Sequence, residues 1–232
     1  MKSFPILFVD NFFPDIDYVL NIAQTTEYER KRLSATGQTS KLSVEELEPN
    51  LNNFITEKIM SIFWPPNDYQ HACNIQTDFQ KIDSYKVDDP TFNRGSIHCD
   101  DVFGCDLFAI IYLSKHEDQD SGTSFYERNP NVFLQSHTYV KDFQDALQAY
   151  NEDKQITEER KNIFDNFYSY FKETARIQNK QNRAVIFPSS YWHAATGFTE
   201  ETRYTLRFLS FSSTSKHINT NNFSLNPLDR VN

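Results

Sequence analysis

The sequence predicts a mainly β protein, an antiparallel barrel or jelly roll with flanking helices. Three observations favour this fold class: two helical patterns come early, several short apolar strands follow, and turn residues separate those strands. The chain of 232 residues is long enough for a sizeable core, and 38% of it is hydrophobic, with 21 Phe and 12 Tyr. We therefore expect a single folded domain over residues 1–232.

The first quarter of the chain predicts a strand and two helices. Residues 4–9 (FPILFV) have the pattern of a strand, and a turn rich in Asp, Asn and Pro leads into a helix at about 15–28. A second helix is expected from Ser43, whose hydroxyl can cap it, with Glu46 three residues later as the capping-box partner. The Trp-Pro-Pro run after Phe63 should end this helix because proline cannot continue it.

Later segments have the apolar or alternating pattern of β-strands. They are, in chain order, 74–87, 108–113, 121–126 (a turn that feeds a strand), 184–187 and 203–211. The last of them, RYTLRFLSF, is the clearest strand. These segments supply the predicted barrel.

A charged stretch at 138–178 interrupts the strands and has helical periodicity. Its aromatic residues recur three and four positions apart, and we interpret it as two helices that break near 153–157. Two places are open to this helical insertion: over the mouth of the barrel, where it would help to choose the substrate, or flat against a sheet. The polar residues from 212 to 232 are expected to be loosely ordered.

Charge, cysteine content and hydropathy argue against several function classes. The net charge is −9 and no Lys/Arg-rich run is present, so a general nucleic-acid-binding surface is not expected. The three cysteines form neither a CxxC motif nor an even disulfide framework, which fits a reducing compartment. No apolar run approaches the roughly 20 residues that span a membrane, and no secretory signal is recognisable. We expect a soluble, cytoplasmic protein.

Two histidines and an aspartate have the residue types and spacing of a metal site. His98 and Asp100 are two positions apart, so on an extended strand their side chains lie on the same face. His193 follows the predicted strand at 184–187 and is the best-placed third ligand. Two His and one carboxylate are the facial ligand set of non-haem Fe(II) oxygenases, which leaves metal positions open for chemistry. Asp101 could replace Asp100 only if a bulge intervened.

Arg203 is the candidate for binding an organic carboxylate beside this metal. If the chain turns near Phe198, a hairpin would place His193 opposite Arg203, and cross-strand partners share a face. A guanidinium offers a rigid bidentate fork to a carboxylate, and the hydroxyl of Thr205 would share its face. Arg207 also lies on this face but further from the turn. We therefore expect Arg203 to bind the carboxylate and Arg207 to contact the substrate or an acidic neighbour.

Around these residues the sequence resembles the 2-oxoglutarate/Fe(II)-dependent oxygenase superfamily, in particular its prolyl-hydroxylase-like branch. The resemblance covers about 74–126 and 183–211. The motifs that carry it are Asp83-Ser84-Tyr85, His98-Cys99-Asp100, Ala109-Ile110-Ile111-Tyr112-Leu113-Ser114, Ser121-Gly122-Thr123-Ser124-Phe125, Val185-Ile186-Phe187-Pro188, Trp192-His193 and Thr202-Arg203-Tyr204-Thr205. Two positions depart from the family pattern, since Ser121 stands where a Gly-Gly pair would begin and Ser114 replaces Asn.

The resemblance implies a double-stranded β-helix, a jelly-roll or cupin-like fold, with iron at one mouth. It implies that His98, Asp100 and His193 bind Fe(II) and form the catalytic centre. Halogenating relatives have a small residue in place of the carboxylate, so Asp100 implies hydroxylation.

The same resemblance implies 2-oxoglutarate as cosubstrate and O₂ as oxidant, with ascorbate in a supporting role. Arg203 would pair with the distal carboxylate of 2-oxoglutarate, and Thr205 and Tyr85 are candidates for hydrogen bonds to it. The substrate would be a protein side chain, as for prolyl hydroxylases, or a small molecule.

Two other interpretations of the sequence lead to different functions. In the first, the chain is a non-catalytic cupin-like protein that binds a structural metal or none. In the second, the charged helices at 138–178 serve as a partner-binding surface. Succinate formation together with bound iron would distinguish an oxygenase from both, because neither alternative consumes 2-oxoglutarate.

Overall fold

The computed structural model describes residues 5–30, 37–63, 73–83, 89, 91–100, 105–115, 120–129, 136–198 and 201–212. The helices of this part are α1 (Ile16–Thr25), α2 (Val44–Leu47), α3 (Pro49–Phe63), α4 (Ser136–Asp153) and α5 (Glu158–Ser169). Its strands are β1 (Leu7–Val9), β2 (Tyr28–Glu29), β3 (Gln38–Ser40), β4 (Cys73–Ile82), β5 (Cys105–Tyr112), β6 (Gly122–Arg128), β7 (Phe171–Gln178), β8 (Arg183–Pro188), β9 (Trp192–Thr196) and β10 (Arg203–Ser212). The predicted class, mainly β with flanking helices, is confirmed.

The strands form two antiparallel sheets that pack face to face. In the described part of the chain the larger sheet has the order β1-β8-β5-β10-β4-β3-β2, and the smaller sheet has the order β7-β6-β9. An aromatic core lies between them, where the rings of Phe125 and Phe187 meet with centroids 4.9 Å apart. Helices α1, α2 and α3 cover the opposite face of the larger sheet with a second core that includes Phe63 and Phe208.

Local sequence signals set the ends of the early helices. Asp15 caps α1 by accepting a hydrogen bond from a first-turn amide at 3.0 Å, and Ser43 and Glu46 form the predicted capping box. The single helix that was expected from Ser43 to Phe63 is instead divided in two. Glu48 leaves helical geometry because the following residue is Pro49, which begins α3.

The stretch at 138–178 is only partly helical. Helices α4 and α5 are separated by residues 154–157, as predicted, but residues 171–178 form β7 and pair with β6. The helical insertion therefore ends at Ser169, and the expectation of helix up to 178 is wrong. Periodicity missed the strand because Phe171 continues the aromatic spacing of α5, and the rest of β7 is mostly polar and exposed.

Strands β9 and β10 do not form the predicted hairpin. β9 pairs with β6 in the smaller sheet, whereas β10 lies between β5 and β4 in the larger one. His193 is opposite Phe125, and Arg203 is opposite Ile82. The expectation that His193 and Arg203 are cross-strand partners is therefore wrong, because the chain changes sheets between them.

Some predicted features lie outside the described residues. These are Tyr85, Asp101 and the polar stretch after Ser212. Among the helices of the described ranges, none is both long and apolar enough to cross a membrane.

Candidate metal centre

Backbone pairing sets His98 and His193 side by side. The two residues exchange both backbone hydrogen bonds, with N···O distances of 3.0 and 2.8 Å. Directly opposed residues of an antiparallel pair project to the same side, and the two imidazole centroids are 4.5 Å apart. Asp100 is held nearby, since its amide donates to the carbonyl of Ser189 at 2.8 Å. The segment before β5 and strand β9 thus bring the predicted ligands together.

The three predicted ligands form a cluster that can hold one metal ion. One ring nitrogen of each histidine and one carboxylate oxygen of Asp100 all lie within 4.8 Å of one another. The distance from His193 Nε2 to Asp100 Oδ2 is 3.5 Å. Among the His, Cys, Asp and Glu residues that the structure describes, no other group of three has this geometry. Two imidazoles and one carboxylate are a donor set that fits non-haem Fe(II).

Backbone carbonyls fix both imidazole rings. His98 Nδ1 is 2.9 Å from the carbonyl oxygen of Ser96, and His193 Nδ1 is 3.0 Å from that of Tyr191. In this arrangement each Nδ1–H donates to the carbonyl two residues earlier, which leaves Nε2 as the ligand atom. Metal-binding histidines commonly have such a second hydrogen bond, because it fixes the tautomer and the ring orientation.

The two histidines differ in solvent exposure. His98 is exposed, whereas His193 is 3% exposed and lies against the rings of Phe108 and Phe187, with centroid distances of 5.6 and 4.8 Å. Burial, with a smaller contribution from the neighbouring His98, lowers the pKa of His193 to about 3. His193 is therefore neutral near pH 7, the state in which imidazole binds metals.

Arg203 is a buried cation with no carboxylate beside it among the described residues. Its side chain is 4% exposed, and Nη1 donates to the hydroxyl of Ser121 at 3.2 Å and to the carbonyl of Thr196 at 3.5 Å. Within the part of the chain that the structure describes, the buried Nε has no hydrogen-bond partner. Burial lowers the pKa of this guanidinium. An unpaired buried charge is costly, so a ligand carboxylate would satisfy Arg203.

Arg203 and the histidine cluster face the same space between the sheets. Phe108 and Phe187, which contact His193, belong to the core between the sheets, as does Tyr112. The phenol of Tyr112 is close enough to affect the pKa of Arg203. The guanidinium therefore reaches the predicted space from β10 in the larger sheet, which faces β9 in the smaller sheet. The predicted β9–β10 hairpin is not needed.

Thr205 and Arg207 have other partners on the same face of β10. Thr205 is buried, and its hydroxyl donates to Gln80 Oε1 at 3.4 Å. Arg207 donates through Nε and Nη2 to the two carboxylate oxygens of Asp78, at 2.7 and 3.0 Å. Arg207 therefore has an acidic neighbour, which was one of the two roles that the sequence left open for it.

Two residues of this region, Ser121 and Asp78, were not predicted from the sequence. Ser121, the departure from the family's Gly-Gly pair, is 1% exposed and accepts the hydrogen bond from Arg203. Asp78 is the cross-strand partner of Arg207 in the register of β4 and β10. The signal for Asp78 was a carboxylate on the alternating pattern of β4, but its partner strand could not be known without the register.

Comparisons with known proteins agree with this architecture. A family model described as "Family of unknown function (DUF6445)" matches residues 1–202. No curated protein matches the sequence. Among solved structures, the chain is similar to the non-haem α-ketoglutarate-dependent epimerase SnoN from nogalamycin biosynthesis. The TM-score is 0.55 at 10% identity, over 91% of this chain and 79% of that one.

Two prolyl hydroxylases are also similar in structure. One, from Trichoplax adhaerens in complex with a hypoxia-inducible-factor peptide fragment, has a TM-score of 0.53 at 12% identity, over 89% of this chain and 83% of that one. The other, a prolyl-4-hydroxylase from Pseudomonas putida, has a TM-score of 0.50 at 10% identity, over 89% and 92%. The predicted double-stranded β-helix, the fold of 2-oxoglutarate/Fe(II) oxygenases and of their prolyl-hydroxylase-like branch, is confirmed.

Proposed function

This chain belongs to the DUF6445 family of unknown function, and we propose that it is a 2-oxoglutarate- and Fe(II)-dependent dioxygenase that hydroxylates a protein side chain or a small molecule. One observation carries the proposal. The cluster of His98, Asp100 and His193 and the buried guanidinium of Arg203, which has no carboxylate partner among the described residues, face one space between the sheets. The proposal takes residues 1–232 as one catalytic domain, since both sheets contribute to this space.

The three ligands have distinct tasks in this proposal. His98 and His193 bind Fe(II) through Nε2, and Asp100 binds it through a carboxylate oxygen. When bound, the iron supplies the redox chemistry that couples conversion of 2-oxoglutarate to succinate and CO₂ with hydroxylation of the substrate. The chain itself orients both imidazoles by their Nδ1–H bonds and excludes water on the His193 side with aromatic rings. The carboxylate of Asp100 supports hydroxylation rather than halogenation.

Arg203 binds the distal carboxylate of 2-oxoglutarate in this proposal. Its Nε has no hydrogen-bond partner among the described residues, and its Nη1 is held by Ser121, so both nitrogens favour a ligand that brings its own negative charge. Thr205 and Tyr85 are proposed to form further hydrogen bonds with the cosubstrate. O₂ is the oxidant, and ascorbate supports turnover.

Both substrate classes stay in the proposal because the structural neighbours differ. The hydroxylase from Trichoplax adhaerens is in complex with a peptide. A second structure of the epimerase SnoN contains Fe3+, α-ketoglutarate and nogalamycin RO. A protein side chain and a small molecule are thus both compatible with a site of this fold.

Anaerobic titration tests the proposed function directly. Fe(II) is added to the protein, and 2-oxoglutarate is then added while the visible spectrum is followed for the weak charge-transfer band of the iron chelate. We expect the band with the wild-type protein and no band with His193→Ala. Stoichiometric iron binding with neither the band nor succinate formation would instead support the non-catalytic cupin-like alternative.

A further inference from the structure

The α4–α5 hairpin packs behind strand β9, which carries His193, and behind the segment that carries His98. Its buried residues form one core with Ile97 and Ala194, to which the hairpin contributes Phe143, Ala146, Leu147, Tyr150, Phe164, Phe167 and Tyr168. Ile97 precedes His98 and Ala194 follows His193, and neighbours on extended backbone project to opposite faces. The histidines therefore face the space between the sheets while the residues beside them are anchored under the hairpin. The sequence left two positions open for the helical insertion, over the mouth of the barrel or against a sheet. Its described aromatic residues pack against the sheet.

Side chains of α5 bind the start of the ligand segment (residues 91–98). Thr91, which is 7% exposed, donates its hydroxyl to Asp165 Oδ1 at 2.7 Å. Two positions earlier, the carboxylate of Asp89 lies 2.7 Å from Lys161 Nζ. These contacts join residues that are more than 70 positions apart in sequence. They fix the position of the first residues of the ligand segment relative to α5.

Aromatic residues of the hairpin hold the middle of the ligand segment. The ring of Phe92 is 2% exposed and lies 4.6 Å from that of Tyr150 and 4.8 Å from that of Phe164, measured between centroids. The guanidinium of Arg94 lies 3.5 Å above the centroid of the Tyr168 ring. Beyond Arg94, backbone hydrogen bonds pair the segment with β9. The ligand segment is thus held by the hairpin on one side and by β9 on the other.

We propose that α5 is a positioning element of the metal centre, in which the bond between Thr91 and Asp165 and the aromatic contacts of Phe92 determine the position of His98. The inference rests on the proposed function, since it requires that His98 binds the metal. A hairpin that only adds stability would change the unfolding temperature and leave the metal affinity of the folded protein unchanged. A positioning element changes the metal affinity and the ligand field as well.

Substitutions at Thr91 test this role with a conservative rescue. Thr91→Val removes the hydroxyl donor, whereas Thr91→Ser retains it. We expect Thr91→Val to weaken binding of Fe(II) alone, measured anaerobically, by about 2- to 10-fold, the effect of one lost hydrogen bond. The visible bands of Co(II) bound at the same site should shift. Thr91→Ser should return both measurements toward the wild type.

A second variant and a matched control complete the experiment. Asp165→Ala removes the acceptor at an exposed position of α5, so folding is preserved and the same loss of Fe(II) affinity is expected. Asn162→Ala, at another exposed position of the same helix, should leave affinity and Co(II) spectrum unchanged. Wild-type Fe(II) affinity in both Thr91→Val and Asp165→Ala would overturn this inference alone. No Fe(II) binding by the wild-type protein would overturn the proposed function and this inference with it.

Discussion

Arg203 and Arg207 project from the same face of β10, yet of the two only Arg207 has a carboxylate partner among the described residues. Four residues of extended strand separate them, about 13 Å. Arg207 is opposite Asp78 on β4, whereas Arg203 is opposite the apolar Ile82. The neighbouring strand therefore gives two identical side chains different roles, and each role leads to its own prediction.

Replacing Arg203 by Met should weaken the binding of 2-oxoglutarate without lowering the stability of the protein. Loss of a charge-assisted pair with 2-oxoglutarate is expected to cost about 2–5 kcal/mol of binding free energy. The metal-free protein should be as stable as the wild type or more stable, because the substitution removes an unpaired buried charge. Titration calorimetry of 2-oxoglutarate into Mn(II)-loaded protein and thermal unfolding of the apo protein measure the two effects. Unchanged 2-oxoglutarate affinity would show that another group binds the cosubstrate.

Arg207→Ala should have the opposite effects, lowering the stability while leaving 2-oxoglutarate binding nearly unchanged. It leaves the carboxylate of Asp78, whose side chain is 8% exposed, without its ion-pair partner. We expect the free energy of unfolding to fall by up to about 3 kcal/mol, a reduced value because the Arg207 side chain is 26% exposed. The affinity for 2-oxoglutarate should change far less than in the Arg203 variant. Chemical unfolding gives the stability.

The double variant Arg207→Ala/Asp78→Ala is the control for this ion pair. It removes the buried charge together with its partner, so we expect it to recover part of the stability lost in Arg207→Ala. A double variant that is less stable than the single variant by the full cost of Asp78→Ala would show that the two side chains act independently.

Replacing either histidine by alanine should abolish iron binding, but only one of the two variants should be much less stable than the wild type. His98→Ala and His193→Ala are both expected to abolish stoichiometric Fe(II) binding. Only His193→Ala should lower the unfolding temperature appreciably, because it leaves a cavity among buried aromatic rings, whereas His98 is exposed. Iron analysis after anaerobic loading and thermal unfolding give the two quantities. Full iron content in both variants would remove the metal assignment.

Ion pairs of Asp10 predict a loss of stability in acid. Its carboxylate accepts hydrogen bonds from Arg183 at 2.6 and 3.1 Å and from Lys180 at 2.8 Å. These partners hold the pKa of Asp10 well below its usual value of 3.8. Because the folded pKa is the lower one, the stabilisation is complete above the unfolded pKa and is lost as the pH falls toward the folded pKa.

Asp10→Asn should therefore lower the stability more at neutral pH than in acid. At pH 7 we expect the variant to be less stable by about 1 kcal/mol, since the pair is partly exposed. Below about pH 4 the difference from the wild type should narrow. Urea unfolding at pH 7 and pH 3 compares the two conditions. A difference of the same size at both would mean that Asp10 acts through packing and not through charge.

Two members of the candidate metal cluster, His98 and Asp100, could be paired from the sequence because their signal is local. Side chains two positions apart on extended backbone share a face, so His98 and Asp100 could be paired without knowledge of the fold. The face of Arg203 was predicted, but for the wrong reason, since its neighbours depend on a register between distant strands. Ser121 and Asp78 likewise gained their roles from contacts with β10, and the local pattern that marked Asp78 could not identify its partner.

The strands that were not predicted share a physical cause. β2 and β3 have two and three residues, too few for an alternating pattern to stand out. β7 lies at the edge of its sheet within the described residues, and its outward residues are polar. Strands with little apolar surface are specified by the partner that they meet and not by their own composition.

The position of β10 has a consequence for the order in which the protein forms during synthesis. β10 lies between β5 and β4 in the larger sheet, although it is the last described strand along the chain. Until it leaves the ribosome, β4 and β5 have no common neighbour, and both present open edges that can pair with other chains. The nascent protein therefore contains both histidine ligands before it contains Arg203. We therefore expect the larger sheet to close, and the proposed carboxylate site at Arg203 to be completed, late and together, through contacts between distant parts of the sequence.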